Sequence, residues 1–301
     1  SSDLSCRNLP PFFRHKHRFV YSKIELVKYE KKIKHPVLNK VLNKLYKNQI
    51  NKGLEIHYDG DFPARSGVGS SSSFTVGLLN ALNYYYSIKT SKKELAYESI
   101  NLEQKILNEK VGSQDQIAAV HGGFNEINFF KNGNYSIKPI FNNYQKLKNF
   151  EKKLVLVFTG TRKKNQTSDT ISRNFIKKIS TSKKKNIFEI MRFAELAKKL
   201  IKNSQFDEIG KLLNETWKMK RDLSKFVSTN KIDELYNFGI NNGALGGKLL
   251  GAGGAGFLLF YVPEENQSKF IKSIKSTKKS IIVPFNFEKE GSKIIFNDQK
   301  N

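Results

Sequence analysis

The sequence predicts an α+β protein organised in two halves. Three observations carry this. In the first half, short apolar runs of strand type alternate with stretches whose apolar residues recur every three or four positions. From Phe158 to about Asn241 the pattern is mainly helical. The end then returns to strands, at Phe257 to Val262 and Ile281 to Phe287. At 301 residues the chain exceeds one typical domain and can bury a core without metal or disulfide staples.

Each element has its own justification. Phe19 to Val27 reads as a strand, with Phe19, Tyr21, Ile24 and Leu26 as its apolar positions. Pro36 to Tyr46 reads as a helix, because Val37, Val41, Leu42 and Leu45 share one face. Leu54 to Tyr58 is a short strand. Ser72 to Tyr86 is a helix with Phe74, Leu78, Leu82 and Tyr85 at helical spacing, and Lys92 to Leu107 is the next helix. Gly122-Gly123 marks a turn before a strand at Phe124 to Phe130. Leu154 to Phe158 is a continuous apolar run, as a buried strand requires. Ile187 to Ile201, Phe206 to Lys220 and Ile232 to Phe238 are helices, and Ser268 to Ser276 is a helix between the last two strands. No repeat and no Pro/Gly/Ser-rich linker divides the chain. The expected domains are 1–160 and 161–301.

Composition narrows the class. Hydrophobic residues make up 38% and aromatics 12%, which excludes wholesale disorder. With 53 Lys+Arg against 27 Asp+Glu, the formal charge is +26. Such a surplus suits a nucleic-acid binder, an enzyme for anionic substrates, or a Lys-rich solvated surface. The basic residues are spread along the chain, with short clusters at Lys31-Lys32, Lys163-Lys164, Lys183 to Lys185 and Lys278-Lys279. None lies in a motif that reads or stacks bases, so the solvated surface is the default. The single cysteine, Cys6, excludes a disulfide framework and a Cys-based zinc site. No apolar run of about 18 residues suggests a membrane span, and no leader pattern opens the chain. A cytoplasmic protein is expected. His15 and His17 have no third ligand at metal spacing, and Trp217 reads as helix packing.

Three stretches carry chemistry. Pro63-Ala64-Arg65-Ser66-Gly67-Val68-Gly69-Ser70-Ser71-Ser72-Ser73 follows a strand and opens a helix. Its glycines permit backbone conformations in which N–H groups line a concavity, and the helix start adds free N–H groups and a positive dipole end. The plain alternative is a serine helix cap after a glycine turn. The run is neither a Walker A loop nor a dinucleotide fingerprint, since it lacks Gly-Lys-Ser/Thr and the required glycine spacing. The second stretch is Gly112-Ser113-Gln114-Asp115-Gln116. Asp115 is either a first-turn helix residue or the carboxylate that orients a hydroxyl nucleophile and takes its proton. Glu103, twelve residues upstream, is either a solvated helix glutamate or a magnesium ligand. The third stretch, Gly246 to Phe257, holds six glycines in eleven residues, which no helix interior tolerates. It reads as a loop that lets backbone approach something closely.

The Pro63 to Ser73 stretch resembles the Pro-x-x-x-Gly-Leu-Gly-Ser-Ser signature of the GHMP small-molecule kinases, and Lys248 to Phe257 resembles their third, glycine-rich motif. Gly112 to Gln116 is similar to the segment bearing their catalytic Asp. Tyr21 to Glu25, Ser72 to Leu82, Gln114 to Gln116 and Gly243 to Leu249 bring the likeness nearest to the branch acting on D-glycero-D-manno-heptose 7-phosphate. The resemblance implies an N-terminal domain like ribosomal protein S5 domain 2 and a ferredoxin-like C-terminal domain. It implies ATP on Pro63, Arg65, Ser66, Gly67, Val68, Gly69, Ser70, Ser71 and Ser72, and Mg²⁺ on Ser71 and Glu103. Asp115 would be the base, and Asp3, Gly253 and Gly254 would meet the acceptor. The implied reaction is ATP-dependent phosphorylation of the sugar's anomeric hydroxyl. The partners would be ATP and a sugar phosphate, without nucleic acid or membrane, and a homodimer stays possible. Arg65, Lys23 and Arg7 are candidates for the acceptor's own phosphate.

Two departures from the family pattern stand out. Relatives open with a strand, a basic residue and a Gly-rich turn ending in Gly-Thr-Asp or Gly-Ser-Asp. Only Ser2-Asp3 resembles the end of that turn here, so a preceding segment is expected. Ala255 stands where relatives usually carry Gly, and Val68 replaces Leu. A GHMP kinase with another acceptor, a non-catalytic relative that binds sugar or nucleotide, and an RNA-binding module remain open on sequence.

Overall fold

The structure, a computed structural model, describes residues 2–163, 165–176, 181–224, 226–277 and 280–298, and not the side chains of 175 and 181–183. Of the basic clusters, Lys164, Lys278 and Lys279 lie outside the described residues, as does the side chain of Lys183. Contacts divide the chain into two compact units. One comprises Ser1–Ala64, Gly69–Gly122 and Glu290–Asn301, and the other Arg65–Val68 and Gly123–Lys289.

The first unit contains β1 (Ser2–Leu9), β2 (His17–Val20), β3 (Ile24–Val27), α1 (Pro36–Lys40), β4 (Gly53–Gly60), α2 (Ser70–Tyr85), α3 (Lys92–Asn101) and α4 (Gln114–His121). A π-type turn extends α1 over Val41–Leu45, and another extends α3 over Leu102–Ile106. The strands form a sheet in the order β1-β4-β2-β3, with β4 antiparallel to β1 and parallel to β2. Leu54 and Ile56 of β4 are buried, as are Phe74, Leu78, Leu79 and Leu82 of α2. Ser91 starts α3 with a reciprocal cap: its hydroxyl accepts from the Glu94 N–H while Glu94 accepts from the Ser91 N–H.

Two expectations change here. The strand expected over Phe19 to Val27 is a tight hairpin, β2 and β3, closed by the Tyr21 N–H donating to the Lys23 carbonyl at 2.9 Å. Phe19 and Tyr21 are separated from Ile24 and Leu26 by an odd step, so one continuous strand would have turned the second pair to the opposite face. Ser2 and Asp3 belong to no turn. They begin β1, with Asp3 exposed and opposite Asp59 of β4. The sequence of β1 has no clean alternation, so its strand state comes from pairing with β4.

His17 shows how a polar group is buried in this sheet. Its Nδ1 accepts from the Leu54 N–H at 3.2 Å, which leaves the proton on Nε2 to donate to Glu30 at 2.8 Å. Burial lowers the His17 pKa. For Glu30, burial works upward, but the Lys16 ammonium, its own backbone N–H and His17 together hold its pKa down at about 2.

The second unit contains β5 (Asn125–Phe129), β6 (Tyr135–Pro139), α5 (Tyr144–Lys152), β7 (Leu154–Gly160), α6 (Ser168–Ile176), α7 (Thr181–Lys202), α8 (Phe206–Leu223), α9 (Asn230–Asn241), β8 (Gly246–Leu249), β9 (Gly256–Tyr261), α10 (Gln267–Ser276) and β10 (Ile281–Val283). The strand expected at Phe124 to Phe130 is β5, and β6 completes a hairpin that the sequence reading lacked. β10-β7-β9-β8 form an antiparallel sheet. A strand, helices, two strands, a helix and a strand along the chain, with the sheet order β10-β7-β9-β8, make the expected ferredoxin-like plan. Alternation along β7 and β9 feeds two cores. Val155, Val157, Leu258 and Phe260 join Trp217 and Phe270 on one face, while Leu154 and Tyr261 join Phe150, Phe206 and Ile209 on the other. Among the described residues, no helix is long and apolar enough to cross a membrane.

Candidate active site

The first unit places Gly69, Ser70, Ser71, Ser72 and Asp115 around one helix start. Gly69 precedes α2 with φ 72°, a left-handed conformation, and no side chain caps the helix. The Ser73 N–H donates to the Gly69 carbonyl at 2.9 Å, so the N–H groups of Ser70, Ser71 and Ser72 lie ahead of the first intrahelical bond. Such free donors and the helix dipole favour an anion at this position. Asp115 sits in the first turn of α4, on the exposed side. A Cβ at Gly69 would lie 3.4 Å from the Asp115 carboxyl carbon, ordinary contact distance, so this carboxylate lies beside the start of α2, while the positive φ is what favours glycine there. Both plain readings of Asp115 are therefore compatible: it is a first-turn residue and it is also presented beside an anion site. The segment before α4 is fixed by Gln104, whose Nε2 donates to the Val111 carbonyl at 2.9 Å and to the Ser113 hydroxyl at 3.2 Å.

Glu103 is no solvated helix glutamate. It is 3% exposed and lies on the π-type turn that follows α3, where the Leu107 N–H reaches back to the Leu102 carbonyl at 2.9 Å. Its Oε2 accepts from the Ser72 hydroxyl at 3.2 Å and from the Gln116 side-chain amide. Its Oε1 is buried without a partner. Burial pushes the carboxyl up to about 6, against the opposing pull of Ser72, Gln116 and the Thr75 hydroxyl. An orphaned carboxylate oxygen next to serine hydroxyls suits a hard divalent cation such as Mg²⁺. Among the described residues, no three or more His, Cys, Asp or Glu side chains are grouped to hold a metal alone. The donor set therefore suits an ion whose other ligands are phosphate oxygens and water. Ser71 is exposed, and the hydroxyl that meets Glu103 is that of Ser72. Gln116 was read only as a neighbour of Asp115. Its burial beside Glu103 follows from how α4 packs, which no local pattern signals.

In the second unit, Arg65 to Val68 lie against the glycine-rich loop. A Cβ at Gly251 would come within 2.4 Å of the Gly67 carbonyl oxygen, and one at Gly256 within 2.0 Å of the Ser66 carbonyl oxygen. Backbone meets backbone here, which is why the third motif cannot carry side chains at these two positions. Gly253 is buried against Val227, and the Gly254 N–H donates to the Val227 carbonyl at 3.0 Å. The Ser66 hydroxyl is buried without a partner. Val68 is half-buried, whereas Pro63 and Arg65 are exposed.

Two cations were missed by the sequence reading. Arg162, 6% exposed, donates from Nε to the Arg65 carbonyl at 3.3 Å and from its guanidinium to the Ser168 hydroxyl at 3.0 Å. It lies in the stretch read as an interdomain boundary. Its sequence signal is an Arg two residues after an apolar strand, at the head of the Lys163-Lys164 cluster. Lys220 of α8 donates from Nζ to the Gly251 carbonyl at 2.7 Å. In the sequence it is an ordinary basic residue at the end of a helix. Among the residues expected near the acceptor, Arg7 is occupied by Glu55 at 2.6 Å, and Asp3 lies on β1.

Comparison with known proteins places this geometry. Residues 31–123 match the GHMP kinases N terminal domain, and residues 197–277 match the GHMP kinases C terminal domain. The chain is 28% identical over 265 residues to a D-glycero-alpha-D-manno-heptose 7-phosphate kinase of Campylobacter jejuni, covering 85% of this chain and 76% of that protein. It is 31% identical over 223 residues to a mevalonate kinase of Methanocaldococcus jannaschii, covering 74% and 66%. The crystal structure of a D-glycero-D-manno-heptose 1-phosphate kinase from Bacteriodes thetaiotaomicron shares the fold, with a TM-score of 0.71 and 21% identity, over 98% of this chain and 88% of that one. With both family domains in order, together taking in more than half of its residues, and both glycine-rich stretches inside the matched ranges, the chain belongs to the GHMP kinases.

Proposed function

We propose that the protein is an ATP-dependent sugar kinase that phosphorylates the anomeric hydroxyl of D-glycero-D-manno-heptose 7-phosphate. The observation that carries this reading is Asp115 held beside Gly69, at the uncapped start of α2, with the unpaired Glu103 oxygen on the same unit. The likeness to the Campylobacter jejuni kinase supports the choice of acceptor.

In this reading the N–H groups of Ser70 to Ser72 and the start of α2 hold phosphate oxygens of ATP. Pro63, Arg65, Ser66, Gly67, Val68 and Gly69 are the further proposed contacts to ATP. Asp115 accepts the proton of the anomeric hydroxyl as its oxygen bonds to the γ-phosphorus. The bond from that phosphorus to the bridging oxygen breaks, and ADP leaves. Mg²⁺ would be held by Glu103 with the hydroxyls of Ser71 and Ser72, and supplies charge neutralisation for the phosphates. Gly254 and Asp3 remain the proposed contacts to the acceptor, with Gly253 supporting the loop. The cytoplasm is the proposed compartment, since it supplies ATP and keeps a lone thiol such as Cys6 reduced.

A second acceptor class has its own support, because the likeness to an archaeal mevalonate kinase reaches 31% identity. The test is ATP consumption with Mg²⁺ and a panel of sugar 7- and 6-phosphates, free hexoses and mevalonate, run beside Asp115→Asn. We expect turnover with heptose 7-phosphate, and a loss of about 100-fold or more in kcat in the variant with ATP binding retained. Turnover with mevalonate alone would replace the acceptor. Full activity in the variant would remove Asp115 from its role.

A further inference from the structure

Lys220 and Lys248 stand outside every role assigned above. Lys220 lies on α8 and is half-buried; Lys248 lies on β8, opposite Leu259 of β9. The Lys220 Nζ donates to the Gly251 carbonyl at 2.7 Å and reaches the Leu249 carbonyl at 3.5 Å. Gly251 is the residue whose Cα is pressed against the Gly67 carbonyl oxygen. One ammonium therefore fastens the end of β8 and the first residue of the glycine-rich loop, and that residue abuts the nucleotide-loop backbone. Among the described residues, the Lys248 side chain makes no hydrogen bond or ion pair, and neither lysine has a carboxylate partner.

From this geometry we propose that Lys220 is a positioning residue that holds the Gly251 to Gly256 loop against the Ser66-Gly67 backbone. A charged donor makes a markedly stronger bond to a carbonyl than a neutral amine does. The hold therefore depends on the protonation of Lys220. Burial, with the Lys248 charge adding to it, lowers the Lys220 pKa to about 7. Lys248 is itself lowered by burial. Among the described residues, Asp222 at this end of α8 is exposed, and the charges beside it are engaged. Arg221 binds Asp233 of α9, and Lys218 binds Glu215. Lys231 of α9 reaches the Thr159 carbonyl. The loop clamp weakens as pH rises through about 7 and is fully set below it.

The catalytic consequence rests on the kinase reading, but the clamp itself does not, and the test separates them. Hydrogen exchange of the segment 246–257 is measured without nucleotide in the wild type, Lys220→Met and Lys220→Arg, and the KM for ATP is followed from about pH 6 to about pH 9. We expect Lys220→Met to speed loop exchange about tenfold with α10 unchanged, and Lys220→Arg to restore protection. We expect KM for ATP to rise about tenfold in Lys220→Met with kcat little changed, to rise above about pH 7 in the wild type, and to stay flat in Lys220→Arg. Unchanged loop exchange in Lys220→Met overturns the proposal. If that variant does not fold, the wild type decides alone. Loop exchange must then accelerate above about pH 7 beyond its intrinsic pH dependence, and its failure to do so overturns the clamp. A wild type without kinase activity but with a Lys220-dependent loop would sink the functional reading and leave the clamp standing.

Discussion

At the scale of single residues, Glu103 is the clearest case of a group kept at a cost. Its carboxylate is buried and one oxygen has no partner. With its pKa raised from 4.5 to about 6, it favours the folded state below pH 4.5, and that contribution disappears as pH rises through about 6. Glu103→Gln keeps an acceptor for Ser72 and Gln116 without the charge. We expect it to match the wild type in stability near pH 4 and to exceed it by about 2 kcal/mol near pH 8, both without divalent cation. The same substitution should weaken Mg²⁺-dependent ATP binding by about tenfold or more. Thermal melts at the two pH values and calorimetric ATP titrations check both halves. A variant less stable than the wild type near pH 8 would contradict the burial argument. Asp115 contrasts with it. Exposed and carried on a helix start, it was legible as a candidate from residue type and neighbours alone, whereas the role of Gln116 and the link from Ser72 to Glu103 appear only through contact.

At the scale of elements, the hairpin β2–β3 and the short helical turn at Glu30 are joined by a few polar contacts. Lys16 and His17 both meet Glu30 at 2.9 Å and 2.8 Å, and His17 also receives the Leu54 N–H of β4. Glu30 has its pKa depressed to about 2, so its contribution is present above pH 4.5 and is lost as pH falls through about 2. Its side chain is 24% exposed, which screens the interaction in part. We expect Glu30→Gln to cost about 1–3 kcal/mol near pH 7, and much less near pH 2. Denaturant unfolding across that range tests it; a cost independent of pH would mean that packing, not charge, holds the turn. The helices themselves were legible, because amphipathic spacing is a local property of the chain. The strands were less so. β1 and β8 carry polar or glycine-rich sequences and exist as strands through their partners β4 and β9.

At the scale of the whole molecule, the charge of +26 is the dominant feature. We expect any association with RNA to be weak, without sequence preference, and to fall steeply as salt rises from about 50 mM to about 200 mM. ATP turnover should be indifferent to added RNA. Binding measured by polarisation with unrelated RNA sequences checks this, and a strong sequence preference at the higher salt would revive an RNA-binding role.

By itself the sequence determined the α+β class, the order of most helices, the two glycine-rich loops, the family and Asp115 as candidate base. These follow from composition, periodicity and contiguous motifs, which are local quantities. Only the tertiary structure decided that Glu103 is buried with a vacant oxygen against Ser72, that Asp3 is a strand residue, and that Lys220 and Arg162 fasten loops remote from them in the chain. Burial and the partner of a polar group depend on elements brought together from distant positions. No window of sequence contains that information.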